Sequence, residues 1–456
     1  MGLVVAVDFG STFTKAIAVD SGSGDLVARA EHRTTIGTDV MEGWHVCRAA
    51  LERADRGVKR ADVLACSSAG GGLRIGVVGN EELVTAEAGR RVALSSGGRV
   101  VAVVNGGLTS TSLKTLRADR PDVVLLLGGT DGGNSAVLLK AASTLAKYRW
   151  RRPVVVAGNI DAQPEIAALL TEADVPHVLA DNVVPEIGVS APDSARAAIR
   201  EMFLAHVIGG KHLSRDPGFV AMVRAATPDV VLRGVEVLAK LHGDVAVVDI
   251  GGATTDVHSV IELDPEDANL GREVVATHPV TRTVEGDLGM RSSAVPVVAA
   301  GVEAGVIADD AELRMAAMRR HTDPSYLPDS PIEASYDEML AKAAATVALR
   351  RHAGRQRVVF GPGGRVIERS GKDLREVDLL VGSGGVLRHN GPDVAARILG
   401  SVAAGAHEEG WLVPERAAIC VDKDYVLAGV GLLADLEPKA AEGLATHIHG
   451  TATAGH

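Results

Sequence analysis

The sequence has few cysteines and few aromatic residues, and it has no long apolar run. Its three cysteines, Cys47, Cys66 and Cys420, are far apart and form no CxxC pair, so neither a disulfide framework nor a zinc site is expected. No apolar run reaches the roughly 20 residues that a membrane-spanning helix needs, and the opening MGLVVAVDFG lacks the basic segment of a signal peptide. We therefore expect a cytoplasmic protein without a membrane partner.

The charged residues form no stripe of lysine and arginine. The formal net charge is −11, and residues of both signs are interspersed along the chain. Because a nucleic-acid-binding surface needs clustered basic residues, we do not expect a nucleic-acid partner. We interpret the short run of Arg149, Arg151 and Arg152 as a solvated loop.

What the sequence does contain is typical of layered α/β structure. Its 456 residues leave room for two to four domains, and 46% of them are hydrophobic. Four short apolar runs, residues 100–104, 123–127, 154–157 and 178–180, alternate with helical or polar segments, and Asn, Asp or Gly follows each run. This pattern predicts a doubly wound parallel domain, inserted at residues 98–194.

Loop 1, residues 8–15, is the first segment that suggests a specific chemistry. It reads Asp-Phe-Gly-Ser-Thr-Phe-Thr-Lys between two apolar runs. Glycine permits a tight turn, and amides and hydroxyls around such a turn can surround phosphate oxygens. The candidate phosphate contacts are Gly10, Ser11, Thr12, Thr14 and Lys15. Asp8 is placed to hold Mg²⁺ through water. The alternative to a phosphate-binding loop is an ordinary hairpin turn. The loop does not have the sequence pattern of a Walker loop.

Loop 2, residues 249–256, repeats this pattern far downstream. It reads Asp-Ile-Gly-Gly-Ala-Thr-Thr-Asp between two apolar runs. Asp249 takes the place of Asp8 in this pattern and is the second candidate carboxylate for Mg²⁺. The candidate phosphate contacts are Gly251, Gly252, Thr254 and Thr255. Finding the pattern twice makes coincidence improbable, and two such hairpins could hold one polyphosphate.

Loop 3, residues 381–386, is a third glycine-rich segment at the end of an apolar run. It contains Gly382, Ser383, Gly384 and Gly385. Glycine-rich turns are common, so the loop alone is a weak signal. Its position after loops 1 and 2 strengthens it, because a flat backbone there could let a nucleoside lie against it.

The three loops, in the order in which they occur along the chain, resemble those of the superfamily that contains actin, heat-shock chaperone ATPases and sugar kinases. The resemblance implies two ribonuclease-H-like lobes that bind ATP or ADP with Mg²⁺ between them. It assigns Asp8 and Asp249 to the metal and the attacking water, and loop 3 to the adenosine. With the insertion, the predicted division is residues 1–97 for the first lobe and 195–450 for the second, with a final helix returning to the first. Residues 451–456 are predicted to be a frayed tail.

Longer strings resemble a narrower family, MutL (GlmL), the accessory proteins of adenosylcobalamin-dependent glutamate mutase, which are unrelated to the mismatch-repair proteins of that name. The most specific strings are GGTDGGN at residues 128–134 and VEGDLGMR at residues 284–291. The resemblance implies an ATPase that reactivates a cobalamin-dependent mutase, with the mutase subunits as its partner. The sequence leaves open whether the chain forms a homodimer.

Two groups of polar residues can each be explained in two ways. Glu285 and Asp287 either orient water or Mg²⁺, or serve a turn that needs Asp and Gly for backbone reasons. The residues Asp131, Asn134, Asn159, Asp161 and Asn182 follow the predicted parallel strands. They either cap loops or form a site for a ligand or partner, because the carboxyl edge of such a sheet is where ligands usually bind.

Two other functions remain open at this point. A small-molecule kinase of the same superfamily needs a carboxylate base near an acceptor hydroxyl, and the sequence identifies no acceptor pocket. An ATPase that activates a radical dehydratase needs cysteines that bridge an iron–sulfur cluster, and the three cysteines lack such a motif.

Overall fold

The computed structural model of the chain describes residues 2–69, 72–210, 212–262, 278–361, 364–403 and 409–449. The predicted tail, residues 451–456, lies outside these ranges. The strands are β1 Leu3–Phe9, β2 Phe13–Asp20, β3 Leu26–Arg33, β4 Asp62–Ser67, β5 Leu73–Val78, β6 Gly98–Val104, β7 Val123–Leu126, β8 Val154–Val156, β9 His177–Leu179, β10 Val223–Ala226, β11 Val245–Ile250, β12 Thr255–Val260, β13 Val280–Glu285, β14 Arg355–Gly361, β15 Gly364–Ser370, β16 Leu379–Ser383 and β17 Ala418–Val421.

Helices cover the faces of these sheets. They are α1 Val40–Ala54, α2 Glu87–Ser95, α3 Ser110–Ala118, α4 Ala136–Lys147, α5 Gln163–Glu172, α6 Asp193–Met202, α7 Pro217–Met222, α8 Thr227–His242, α9 Ala294–Glu303, α10 Ala311–Thr322, α11 Pro331–His352, α12 Gly385–Arg388, α13 Pro392–Gly400, α14 Leu427–Leu433 and α15 Pro438–His449. None of the helices in the described part of the chain is long and apolar enough to cross a membrane.

The chain divides into two compact units. Unit 1 consists mainly of Met1–Arg233 and Ala428–Ala441, and unit 2 mainly of Gly234–Glu273 and Pro279–Leu427. The predicted boundary at residue 195 therefore falls inside unit 1. The physical reason is that β10, which follows residue 195, supplies an edge strand to the first sheet of unit 1 by pairing in parallel with β4.

The first sheet of unit 1 has the strand order β10-β4-β1-β2-β3. Strands β1, β2 and β3 form an antiparallel meander, and β4 then pairs in parallel with β1. When these five strands are renumbered 1 to 5 in chain order, so that β10 becomes strand 5, the order read from β3 is 3-2-1-4-5. This is the order of a ribonuclease-H-like sheet. Phe9 at the end of β1 is fully buried, with its ring 5.0 Å from that of Phe219 in an edge-to-face contact.

The second sheet of unit 1 is wholly parallel, with the order β6-β5-β7-β8-β9. This is a doubly wound arrangement, and the central strands β7 and β8 are buried along their whole length. The sheet begins with β5, which precedes residue 98, the predicted start of the insertion. That boundary is corrected here, because Leu73–Val78 pairs with β6 and β7 rather than with the first sheet.

Unit 2 contains a second ribonuclease-H-like sheet, with the order β13-β12-β11-β16-β17. Its pairing repeats that of the first sheet: an antiparallel meander of β11, β12 and β13, then β16 and β17 in parallel. Leu340, Ala344 and Ala348 of α11 belong to the same buried cluster as Val248 and Ile250 of β11. The alanines allow this helix to pack close to the sheet. The predicted fold class, two ribonuclease-H-like sheets with a doubly wound parallel sheet, is thus confirmed.

The parallel sheet offers a matched test of burial. Val155 lies fully buried in β8, whereas Val103 in β6 is 44% exposed. We expect Val155→Ala to lower the free energy of unfolding by about 2 kcal/mol, from lost apolar burial and the cavity left behind. Val103→Ala should change it by less than about 0.5 kcal/mol. Urea denaturation followed by circular dichroism measures both, and equal costs would contradict the placement of β8 in the core.

Candidate functional site

Loop 1 forms the tight turn that joins β1 to β2. The amide of Gly10 donates to the carbonyl oxygen of Phe13 at 3.1 Å. A Cβ on residue 10 would lie 2.6 Å from that oxygen, so only glycine fits this close approach. Ser11 and Thr12 are exposed at the tip of the turn. Two of the predicted phosphate contacts therefore face solvent, on a backbone that cannot accept a side chain at residue 10.

Asp8 lies beside this turn in a buried setting. It stands opposite Lys15 on β2 and Cys66 on β4, so these side chains share one face of the sheet. Asp8 is 4% exposed, and its Oδ1 accepts hydrogen bonds from Thr227 Oγ1 at 2.5 Å and from Cys66 Sγ at 3.5 Å. Burial, and then the charge of Asp8, raise the pKa of the Cys66 thiol well above its ordinary value.

Thr227 is a site residue that sequence reasoning missed. The segment Thr227-Pro228-Asp229 predicts the start of a helix, and α8 does begin there. The unused signal was a hydroxyl at a strand-to-helix junction, where β10 ends next to β4 and hence near the end of β1. That neighbourhood becomes visible only once the order of the strands is known.

Loop 2 forms the same turn between β11 and β12. The amide of Gly251 donates to the carbonyl oxygen of Thr254 at 2.9 Å, and a Cβ on Gly251 would lie 2.9 Å from that oxygen. Gly252 and Ala253 are exposed at the tip. Asp249 is partly buried at the end of β11, where it stands opposite Asp256 on β12 and Ser383 on β16.

The VEGDLGMR segment braces loop 2 through the backbone. The amide of Met290 donates to the carbonyl of Gly251 at 3.0 Å, and the amide of Arg291 donates to that of Gly252 at 2.7 Å. A Cβ on Gly289 would lie 2.3 Å from the carbonyl carbon of Ala253. The segment therefore packs directly beneath the turn, and glycine at residue 289 allows that approach.

Glu285 and Asp287 are held by an arginine. Arg351 Nη1 donates to Glu285 Oε2 at 2.8 Å and to Asp287 Oδ1 at 2.7 Å, and its Nη2 donates to Asp287 Oδ2 at 2.9 Å. These contacts hold the pKa of Asp287 below its ordinary value. In the structure both acids pair with Arg351, which secures the bracing segment to α11; the two explanations of these acids stay open.

Two of the predicted phosphate contacts point into the interior. Thr14 Oγ1 lies 3.2 Å from Thr34 Oγ1, and Thr255 Oγ1 donates to the carbonyl of Leu288 at 2.5 Å. Both residues are fully buried. The prediction for Thr14 and Thr255 is revised, because each hydroxyl stabilises its loop from behind. The Thr254 hydroxyl donates to Asp256 Oδ2 at 3.2 Å.

Loop 3 is packed against loop 2 rather than open along its length. Gly384 has a φ of +100°, and a Cβ there would lie 2.2 Å from the carbonyl oxygen of Ile250. A Cβ on Gly382 would lie 2.6 Å from a methyl of Leu387, so this glycine serves core packing. Ser383 is buried and Gly385 is exposed. Of the four residues predicted to contact adenosine, only Gly385 is exposed.

The polar residues at the carboxyl edge of the parallel sheet bond to one another and to their own loops. Asn182 Nδ2 donates to Asp131 Oδ1 at 2.8 Å, and Asp131 Oδ1 also accepts from the amide of Ile160. Asp161 Oδ2 accepts from the amide of Gly132, while Asn159 Nδ2 donates to the carbonyl of Gly133. Asn134 Oδ1 accepts from the amide of Ala136 at the start of α4. These contacts support the loop-capping explanation.

Loop 1 and loop 2 each offer donor atoms that fit magnesium. Asp8 and Asp249 offer hard carboxylate oxygens, and Mg²⁺ is usually held by one or two carboxylates together with water and substrate phosphates. No group of three or more His, Cys, Asp or Glu in the described ranges is arranged to hold a metal by itself. A metal at either loop would therefore depend on a bound phosphate for further ligands.

Each of the two sheets has the strand order 3-2-1-4-5, and in each an Asp-x-Gly sequence forms the turn between the first two strands. Together these features define an actin-like ATPase fold. The profile of the protein family described as MutL protein matches residues 4–448. The chain is also 34% identical over 453 residues to Protein MutL of Clostridium tetanomorphum, covering 96% of this chain and 98% of that protein. The chain belongs to the MutL family, as its sequence strings predict.

Solved structures resemble the chain only distantly. A nucleotide-free acetone carboxylase shares 16% identity with a TM-score of 0.42, over 95% of this chain and 70% of that chain. The activator of 2-hydroxyisocaproyl-CoA dehydratase from Clostridium difficile with bound ADPNP shares 12% identity with a TM-score of 0.31, over 96% of each chain. A ROK hexokinase from Thermus thermophilus shares 11% identity with a TM-score of 0.28, over 94% and 96% of the chains. At these scores the structures carry no argument about function.

The bracing of loop 2 can be tested with two glycines of one segment. A Cβ on Gly289 would meet the backbone of Ala253 at 2.3 Å, whereas a Cβ on Gly286 would meet nothing within 4 Å. We expect Gly289→Ala to lower the free energy of unfolding of unit 2 by about 2 kcal/mol or more, since backbone must move. Gly286→Ala should cost less than about 1 kcal/mol. Urea denaturation compares them, and a tolerated Gly289→Ala would refute the bracing contact.

Proposed function

We propose that the chain binds Mg–ATP through loops 1 and 2 and hydrolyses it to reactivate an adenosylcobalamin-dependent mutase. The repeated turn is the observation that supports nucleotide binding. Gly10 and Gly251 close the same hydrogen bond at the end of the same strand of two similar sheets, each two residues after an aspartate. Membership of the MutL family, and the resemblance to glutamate mutase accessory proteins, support the partner.

The chain's own residues have separate tasks in this proposal. The exposed tips, with Ser11, Thr12 and Gly252, present amides and hydroxyls to phosphate oxygens. Asp8 and Asp249 hold the metal and orient water, and Lys15 beside Asp8 offsets phosphate charge. Mg²⁺ held by these residues would supply positive charge against the phosphates. Gly385 is the exposed residue of loop 3 that contacts the nucleoside.

We expect Asp8→Asn and Asp249→Asn each to fold and to lose hydrolysis by about a hundredfold, because each removes a metal-directed charge. The controls are Asp193→Asn and Asp309→Asn, which change exposed acids of surface ion pairs outside the loops. These controls should stay within about threefold of the unmodified chain. Phosphate release under saturating Mg–ATP measures all four variants. Normal hydrolysis in both Asp variants would show that other carboxylates do the chemistry.

The partner is tested by reactivation. A glutamate-type mutase is inactivated in turnover, then mixed with the chain, fresh adenosylcobalamin and Mg–ATP. We expect mutase activity to return only with ATP, and not with the Asp8→Asn variant, since the work comes from the nucleotide cycle. Absence of ATP-dependent recovery with each adenosylcobalamin mutase tried would defeat the proposed partner. Stoichiometric ADP with a phosphorylated metabolite would instead indicate a kinase.

The cysteines argue against the dehydratase-activator function. Cys47, Cys66 and Cys420 are free and buried. Burial raises the pKa of Cys47 and of Cys420 to about 11. An iron–sulfur cluster shared between subunits needs thiolates at a surface. Iron and colour in anaerobically purified protein would overturn this conclusion.

A further inference from the structure

One oxygen of the Asp8 carboxylate is fixed by a short hydrogen bond from outside loop 1. Thr227 Oγ1 donates to Asp8 Oδ1 at 2.5 Å, and Cys66 Sγ donates to the same oxygen at 3.5 Å. Thr227 is 7% exposed and Asp8 is 4% exposed, so water has little access to this contact. Hydrogen bonds to a charged acceptor are shorter and stronger than those between neutral groups.

The second oxygen of the carboxylate faces the turn. Asp8 Oδ2 lies 3.5 Å from the position that a Cβ on Gly10 would occupy. A half turn of the carboxylate would only exchange two equivalent oxygens, but a change in its tilt would lengthen the bond from Thr227. The Thr227 hydroxyl therefore fixes the plane in which the second oxygen of Asp8 is presented to loop 1.

Thr227 is itself held in place by charged contacts at the first turn of α8. Asp229 is 3% exposed and accepts from Arg200 of α6, with Nε–Oδ2 and Nη2–Oδ1 distances of 2.7 and 3.1 Å. A Cβ on Gly97 would lie 2.7 Å from the amide nitrogen of Asp229. A paired, buried carboxylate and a close backbone contact thus restrict movement of the helix start.

We propose that Thr227 is a positioning residue for the magnesium–nucleotide site, acting through the orientation of Asp8. This inference rests on the proposed function, because it gives Asp8 the metal-directed role. Thr227 contacts neither the metal nor the nucleotide in this scheme. Its effect should therefore show in the gain of nucleotide affinity that Mg²⁺ provides, and not in affinity without the metal.

The test compares three variants with the full chain. Thr227→Val keeps the shape and removes the hydroxyl, whereas Thr227→Ser keeps the hydroxyl. Thr346→Val is the matched control, since Thr346 is buried and its hydroxyl has no hydrogen-bond partner among the described residues. Isothermal titration calorimetry measures the affinity for a nonhydrolysable ATP analogue with and without Mg²⁺. Melting of the ligand-free variants, followed by circular dichroism, shows that each is folded.

We expect Thr227→Val to reduce the magnesium-dependent gain in affinity about tenfold, the usual effect of losing one hydrogen bond to a charged group. Thr227→Ser and Thr346→Val should stay within about threefold of the unmodified chain. An undiminished gain in Thr227→Val would overturn the positioning role and leave the proposed function standing. A gain lost equally in Thr227→Ser would also overturn it, since the hydroxyl would then be irrelevant. Absence of any gain in the unmodified chain would overturn the proposed function together with this inference.

Discussion

A single backbone hydrogen bond, from a glycine amide to the carbonyl three residues later, shapes both candidate loops. It closes the turn at Gly10 and again at Gly251. In each case a side chain on the glycine would come within 3 Å of the accepting oxygen. The bond brings the returning strand into register, which sets Asp8 opposite Lys15 and Asp249 opposite Asp256. The positions of the acids and of the exposed tips follow from this closure.

In unit 2 the turn depends on charged contacts behind it. Arg291 of the bracing segment pairs with Asp337 of α11 at 3.0 Å, and Arg351 at the end of the same helix holds Glu285 and Asp287. Asp337 also pairs with the fully buried Arg320 at 2.6 Å. Removal of Asp337 would leave the charge of the fully buried Arg320 less compensated, which costs far more than loss of a half-exposed pair such as Arg351–Asp287. The position of loop 2 is thereby tied to α11.

Local patterns predicted the two glycine turns and the parallel sheet, because each depends on residues close together in sequence. The resemblance of the three loops to a known superfamily predicted the two ribonuclease-H-like sheets. The boundaries at residues 98 and 195 were wrong for one reason. An apolar run such as Leu73–Val78 suits either sheet of unit 1, and β10 follows a long helical stretch, so only pairing identifies their sheets. Thr14 and Thr255 were misjudged because strand register decides which hydroxyls face inward.

The sequence by itself determined that two aspartates precede glycine turns at strand ends, and its longer strings identified the MutL family. Only the tertiary structure decided what those residues touch. Thr227 bonds to Asp8 from 219 residues away, and Arg351 pairs with Glu285 and Asp287 from 66 and 64 residues away. A turn is encoded by neighbouring residues, whereas the partner of a buried charge depends on which distant segments the folded sheets bring together.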